Sequence, residues 1–191
     1  MIVFDPITGR SPDARWHPSP HFDARPDGFS PELLVVHSIS LPPDEFGGPY
    51  IDDLFAGTLD ISAHESFQSL RGYRVSAHLL IRRDGELVQY VSCHDRAWHA
   101  GASTFQGREN CNDFSVGVEL EGSDRIPYRA IQYRRLADVY AGLADIYPML
   151  ALNPVVGHAD IAPSRKTDPG PQFDWPGFRA MLPVLLADNK P

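Results

Sequence analysis

Residues 33–37 read Leu33-Leu34-Val35-Val36-His37, a continuous apolar run behind Pro31 that ends in a histidine. Strands buried on both faces are apolar without interruption, whereas strands with one wet face alternate. The run therefore predicts a central strand. Downstream, residues 41–49 are Leu-Pro-Pro-Asp-Glu-Phe-Gly-Gly-Pro, which excludes regular structure and predicts a loop. Ile51 to Phe55 and His64 to Leu70 read as short helical pieces. Val75 to Ile81 and Glu86 to Val91 flank Arg82-Arg83-Asp84-Gly85. Asp-Gly between apolar runs signals a hairpin, so these two segments form an antiparallel pair. Residues 99–113 predict a polar loop, and Phe114 to Leu120 a strand. From Tyr128 to Tyr147, Ile131, Leu136, Val139, Leu143 and Ile146 recur at helical spacing, and Pro148 stops the pattern. Val155-Val156 reads as a short extended piece, and residues 159–176 as a loop rich in Pro, Asp and Gly. A last helix starts near Asp174, a natural N-cap, and runs towards Leu186. Strands interleaved with helices, with at least one hairpin, predict an α/β or mixed α+β fold: a sheet with helices packed on it.

The chain has 191 residues, 42% hydrophobic, with no internal repeat and no linker, which predicts one domain over 1–191. Residues 1–31, rich in Pro, Asp and Arg, predict an extended arm on the surface, and 32–190 the core that carries the chemistry. With 25 acidic against 17 basic residues, the net charge is −8. That charge repels phosphate backbones and argues against nucleic-acid binding. No apolar run approaches the length of a membrane span. Met1-Ile2-Val3-Phe4-Asp5-Pro6 lacks the basic and apolar regions of a secretory signal, so a cytoplasmic location is expected. Two cysteines, Cys93 and Cys111, rule out a disulfide-built fold. They read as two reduced thiols, with a single bridge as the alternative.

Three features carry chemistry. His37 stands where a buried strand gives way to a loop, a common place for an active group and also for a structural histidine. The segment from Gly157-His158 to Lys166-Thr167-Asp168-Pro169-Gly170 gathers His, Asp, Lys and Arg on a path stiffened by Pro and Gly. It suits a preorganised site, or else a solvated turn with surface ion pairs. Glu119 and Glu121 share one face at the end of an apolar strand. A carboxylate buried there tends to a raised pKa and to general-base work. The pattern does not say which of the two carries chemistry, and the alternative is one rim carboxylate and one structural partner. His37, His158 and Asp168 together offer three zinc-compatible ligands, and three ligands with an open position is the catalytic zinc pattern.

His37 behind its strand, Val75-Ser76-Ala77-His78, Arg96-Ala97-Trp98-His99-Ala100-Gly101, Cys111-Asn112-Asp113-Phe114-Ser115, Gly117-Val118-Glu119-Leu120-Glu121-Gly122 and the Gly157–Gly170 segment follow one another in the order found in a known family. Over residues 14 to 180 the chain resembles type 2 N-acetylmuramoyl-L-alanine amidases. It is nearest their cytoplasmic branch, which acts on 1,6-anhydro-N-acetylmuramyl peptides in peptidoglycan recycling. The resemblance implies a mixed central sheet flanked by helices, shared with peptidoglycan-recognition proteins. It implies zinc as cofactor, held by His37, His158 and Asp168, with Glu119 as general base and Lys166 stabilising the oxyanion. Many relatives carry Cys as the third ligand; Asp168 fits the recycling branch and leaves Cys93 and Cys111 without a metal role. Trp98 is the expected sugar-facing residue and Arg74 the expected partner of the stem-peptide carboxylates. Ser38 and Asn110 stand where close relatives often carry other residues, and are expected to tune affinity for sugar and peptide. His78 reads as a satisfied buried histidine, and His99 as a group next to the site.

The implied partner is a muropeptide bound by a monomer, with no nucleic acid and no membrane. The implied reaction is hydrolysis of the amide between the muramic lactyl group and L-alanine. In a host with an inducible β-lactamase, loss of that activity would raise the inducing muropeptide. Two alternatives share the fold: a non-catalytic muropeptide-binding module, and an amidase acting on polymeric peptidoglycan. A serine hydrolase is disfavoured because no Gly-x-Ser-x-Gly occurs.

Overall fold

A computed structural model of the chain describes residues 2–182. In chain order the strands are β1 (Arg15–Trp16), β2 (Phe22–Asp23), β3 (Leu33–Ile39), β4 (Leu79–Ile81), β5 (Leu87–Gln89), β6 (Arg96–Ala97), β7 (Thr104–Phe105), β8 (Arg108–Glu109), β9 (Ser115–Glu121) and β10 (Val156–Gly157). The α-helices are α1 (Tyr50–Ala56), α2 (Ala130–Ile146), α3 (His158–Ile161) and α4 (Trp175–Met181). Six strands form the central sheet in the order β1-β5-β4-β9-β3-β10. Only β4 and β5 pair antiparallel; the other neighbours are parallel, so the sheet is mixed.

Side chains alternate across this sheet. Leu34 and Val36 of β3, Val116, Val118 and Leu120 of β9, and Leu79 and Ile81 of β4 pack against Leu136, Val139, Tyr140 and Leu143 of α2. On the opposite face, Leu33 and Val35 meet Phe114, Val156 and Ile161, while Leu80 and Val88 meet Ile51, Leu54 and Phe55 of α1. Both faces of β3 are thus covered, which is why its sequence is apolar without a break. Each such Leu or Val contributes about 1.5–3 kcal/mol by leaving water.

The longest helix, α2, is where the spacing predicts it. Buried Gln132 ties its first turn to the sheet by donating to Ile81 O and Glu121 O. Pro148 stops it and opens a 3₁₀ turn, Pro148–Leu152. The predicted hairpin forms, but its ladder is shorter than Val75–Ile81 suggests: only Leu79–Ile81 pairs with Leu87–Gln89, and Ser76 N–H turns instead to Trp98 O. Residues 159–176 are not all loop, since His158–Ile161 makes one helical turn with Asp160 Oδ2 accepting the Gly157 N–H at 2.7 Å. The last helix has its Asp174 cap but stops at Met181, because Leu182 is extended (ψ 128°). The rest of that expected helix, 183–186, lies outside the described residues.

Residues 2–31 combine two short strands with turns at Asp5–Gly9, Ser11–Ala14 and Pro26–Phe29, and they do more than wrap the surface. Ile2 and Phe4 are buried against α2, and β1 forms one edge of the sheet. Gly142 makes room for this: a Cβ there would lie 2.2 Å from the Ile2 carbonyl oxygen. Both thiols are free and buried, and burial pushes Cys93 up to about 12.

Candidate metal centre and active site

The parallel register of β3 and β9 sets His37 directly opposite Glu119. Neighbouring strands lie about 4.8 Å apart, so the sheet itself places this imidazole beside this carboxylate. Both project from the face away from α2. β10 pairs parallel with β3 (Gly157 opposite Val36), and the chain turns at once into α3, whose first residue is His158. The loop after α3 returns to it: Ala159 N–H donates to Asp168 O at 2.9 Å. Gly157 permits this closure, because a Cβ there would stand 2.7 Å from Pro169 Cδ. Strand, helical turn and returning loop thus bring the three ligand-type side chains to one point.

His37 Nδ1 lies 3.0 Å from His158 Nδ1 and 3.2 Å from Asp168 Oδ2, and His158 Nδ1 lies 3.1 Å from that same oxygen. Ligand atoms about 2.0–2.1 Å from a tetrahedral zinc stand about 3.3 Å apart, so the triangle has the size of a metal face. The two histidines are each 2% exposed. Their outer nitrogens decide what the inner ones can do. Ser115 Oγ spends its proton on Cys111 O at 2.5 Å, so it accepts from His99 Nε2 at 3.2 Å. His99 Nδ1 is then an acceptor and takes the proton of His37 Nε2 at 2.9 Å. His158 Nε2 faces the Ala100 carbonyl at 3.1 Å, which only accepts. These outer partners favour the tautomer with the proton on Nε2, which leaves Nδ1 of each ring available to a metal. Burial holds His37 down at about 4, so it is neutral at pH 7. Burial alone would raise the Asp168 carboxyl, but its contacts with His158 and His37 outweigh that and keep it below the usual carboxylate range. His37 Nδ1, His158 Nδ1 and Asp168 Oδ2 thus converge on one point, and such a donor set fits a divalent cation, which would take the place of any proton shared between them.

Glu119 and Glu121 have separate fates. Glu121 is 1% exposed and fully engaged: Oε1 accepts from Gly47 N–H and Arg82, and Oε2 from Arg83 N–H. It anchors the 41–49 loop. Glu119 Oε2 is buried and has no hydrogen-bond partner. Burial pushes its pKa well above the usual value; the Asp168 charge adds to this and Lys166 opposes it. A carboxylate in that state is suited to proton transfer near neutral pH.

A cavity of about 240 Å³ opens over these groups. Its lining includes His37, Glu119, His158, Lys166 and Asp168 on the polar side, and Leu41, Leu54, Phe55, Leu70 and Tyr73 on the apolar side. Ser38 and Trp98 also line it, with Trp98 stacked on His21 at 6.1 Å. Arg74 is exposed and does not line the cavity, although Tyr73 and Val75 beside it do. Asn110 lines a separate hollow with Ser103, Asp160 and Pro163. His78 is the satisfied buried histidine expected: Nδ1 accepts from Gly117 N–H at 3.0 Å and Nε2 meets Asp95 O at 3.1 Å. The apolar wall was not singled out in the sequence. Leu54 and Phe55 lie on the predicted helical piece 51–55, but nothing local marks that piece as facing the site.

The family described as N-acetylmuramoyl-L-alanine amidase matches residues 27–171. The chain belongs to this family. It is 62% identical over 169 residues to the 1,6-anhydro-N-acetylmuramyl-L-alanine amidase AmpD of Escherichia coli K12, covering 88% of this chain and 92% of that one. A crystal structure of an AmpD selenomethionine derivative superposes with a TM-score of 0.90 at 58% identity, covering 94% of this chain and 99% of that chain. The amidase AmiD of E. coli, in complex with the substrate anhydro-N-acetylmuramic acid-L-Ala-D-γ-Glu-L-Lys, superposes with a TM-score of 0.55 at 28% identity, covering 94% of this chain and 65% of that one. As in those amidases, the family member described here is built on a mixed sheet with helices packed against it. None of its described helices is long and apolar enough to cross a membrane.

Proposed function

We propose that the chain is a zinc-dependent amidase that hydrolyses the bond between 1,6-anhydro-N-acetylmuramic acid and L-alanine in muropeptides released during cell-wall recycling. The observation that carries this reading is the triangle of His37 Nδ1, His158 Nδ1 and Asp168 Oδ2, 3.0–3.2 Å on each side, next to the unpartnered Glu119 Oε2. The names of the similar amidases support the substrate, and AmiD, crystallised with an anhydromuramyl peptide, supports the ligand class. His37, His158 and Asp168 would hold the zinc. Zinc in such a site supplies a nucleophile from water at neutral pH and polarises the amide carbonyl. Glu119 takes the proton of the attacking water, with its raised pKa keeping it a competent acceptor and later a donor. It then passes that proton to the departing L-alanine nitrogen. The Lys166 ammonium offsets the negative charge that develops on the amide oxygen. Trp98 offers a flat apolar face to the sugar ring. Arg74 and Asn110, outside the cavity, act on the peptide and sugar only through parts of the substrate that extend beyond it, and Ser38 acts at the rim. The protein works as a monomer in the cytoplasm and has no nucleic-acid or membrane partner.

Zinc-loaded protein incubated with anhydro-N-acetylmuramyl-tripeptide is expected to yield free tripeptide and the anhydro sugar, read by mass spectrometry. Substrate that is bound but recovered intact would contradict the reading and identify a binding module. Release of peptide from polymeric peptidoglycan alone would contradict the substrate assignment.

A further inference from the structure

The segment Trp98-His99-Ala100 and the Cys111-Asn112-Asp113 turn both lie outside the ligand set, yet both hydrogen bonds that fix the ligand tautomers come from this one segment. His99 Nδ1 accepts from His37 Nε2 at 2.9 Å, and Ala100 O accepts from His158 Nε2 at 3.1 Å. One side chain takes both of its amides: Asn112 Oδ1 accepts the His99 N–H at 3.2 Å and the Ala100 N–H at 2.8 Å, while Arg165 donates to Ala100 O at 2.7 Å and Trp98 N–H to His21 O at 3.3 Å. Asn112 is itself fixed from behind. The Arg25 guanidinium donates to Asn112 O and Asp113 O, each at 3.0 Å, and to Ser115 O at 2.9 Å. The bed on which the His99 ring lies is a residue without a side chain: a Cβ on Gly117 would come within 2.5 Å of His99 Cγ and Nδ1.

We propose that Asn112 and His99 are positioning residues for the metal centre, with Asn112 acting as one clamp that aims both histidine ligands at once. This rests on the zinc reading above. Without the Asn112 acceptor, two adjacent amides lose their partner, the 99–100 segment shifts, and the outer nitrogens of both His37 and His158 lose their fixed geometry together. Neither residue belongs to the ligand triangle, and of the two only His99 lines the cavity, with its Nδ1 turned to His37 Nε2. Their effect reaches the site only through the orientation and tautomer of the two imidazoles, which is how outer-shell groups tune metal affinity.

The test is zinc affinity by chelator competition in the full chain, alongside the cobalt absorption spectrum and the thermal stability of the metal-free protein. Asn112→Ala is expected to weaken zinc binding about 10- to 100-fold and to change the cobalt spectrum. Asn112→Asp keeps the acceptor oxygen and is expected to stay within a few-fold of wild type. His99→Leu is expected to weaken binding, and His99→Asn, which retains an acceptor near the Nδ1 position, to restore most of it. If Asn112→Ala does not fold, the His99 pair decides. Wild-type affinity and spectrum in Asn112→Ala and His99→Leu would overturn the proposal while leaving the zinc site standing. A wild-type protein that takes up no zinc would overturn the site reading and this proposal with it.

Discussion

Glu119→Gln is expected to lower kcat by about 10²- to 10⁴-fold, the range a positioned general acid–base supplies, with zinc content and KM close to wild type. The expectation follows from what Glu119 does in the fold. Its Oε2 is buried and forms no hydrogen bond, so removing its charge breaks no structural contact at that atom. The amide is the same size and fills the same space. It cannot accept the proton of the attacking water, so the loss falls on the chemical step and not on binding. Glu121→Gln provides the contrast. It loosens the contacts with Gly47, Arg82 and Arg83 that hold the 41–49 loop, and is expected to lower thermal stability first. Steady-state kinetics with metal analysis separates the two. A Glu119→Gln enzyme within a few-fold of wild type would remove Glu119 from the proton path.

Asp168→Ala is expected to abolish both activity and zinc-dependent stabilisation. The Asp168 carboxylate stands against both Nδ1 atoms of the paired histidines. With Ala there, only the two histidine nitrogens remain and the third corner of the triangle is empty. A ligand that binds only the folded state stabilises it by about 2.7 kcal/mol at 100 times its Kd. At about 2–4 °C per kcal/mol for a chain of this size, wild type is expected to show an upward Tm shift of roughly 5–10 °C on zinc addition, and Asp168→Ala none. Calorimetry with and without zinc reads this directly. An equal shift in both proteins would show that the stabilising zinc binds elsewhere.

The sheet was legible in the sequence wherever its cause was local. Leu33–Val36 is apolar because both faces are covered, and the α2 spacing reflects a single buried stripe. Pairings across distance were not legible. β9 slots between β4 and β3, joining residues about forty positions apart on one side and about eighty on the other, and the register with β3 is what puts Glu119 opposite His37. The choice between Glu119 and Glu121 was also beyond the pattern, because it depends on Arg82 and the Gly47 amide arriving from other segments. Ligand-type residues could be named from their chemistry and from the family resemblance. The clamp of Asn112 on residues 99–100 could not, since it is made of backbone amides that every residue has. The last helix was overextended because its apolar sequence continues past Met181, where the backbone turns extended at Leu182.

The most direct measurement is activity against zinc occupancy. Protein stripped with a chelator and dialysed free of it receives zinc in fractions of an equivalent, and tripeptide release from anhydro-N-acetylmuramyl-tripeptide is followed at each step. A metal centre formed by His37, His158 and Asp168 predicts no release at zero zinc, a linear rise, and a plateau at one zinc per chain. Full activity in the stripped protein, or a rise that ignores the one-to-one ratio, would contradict the account.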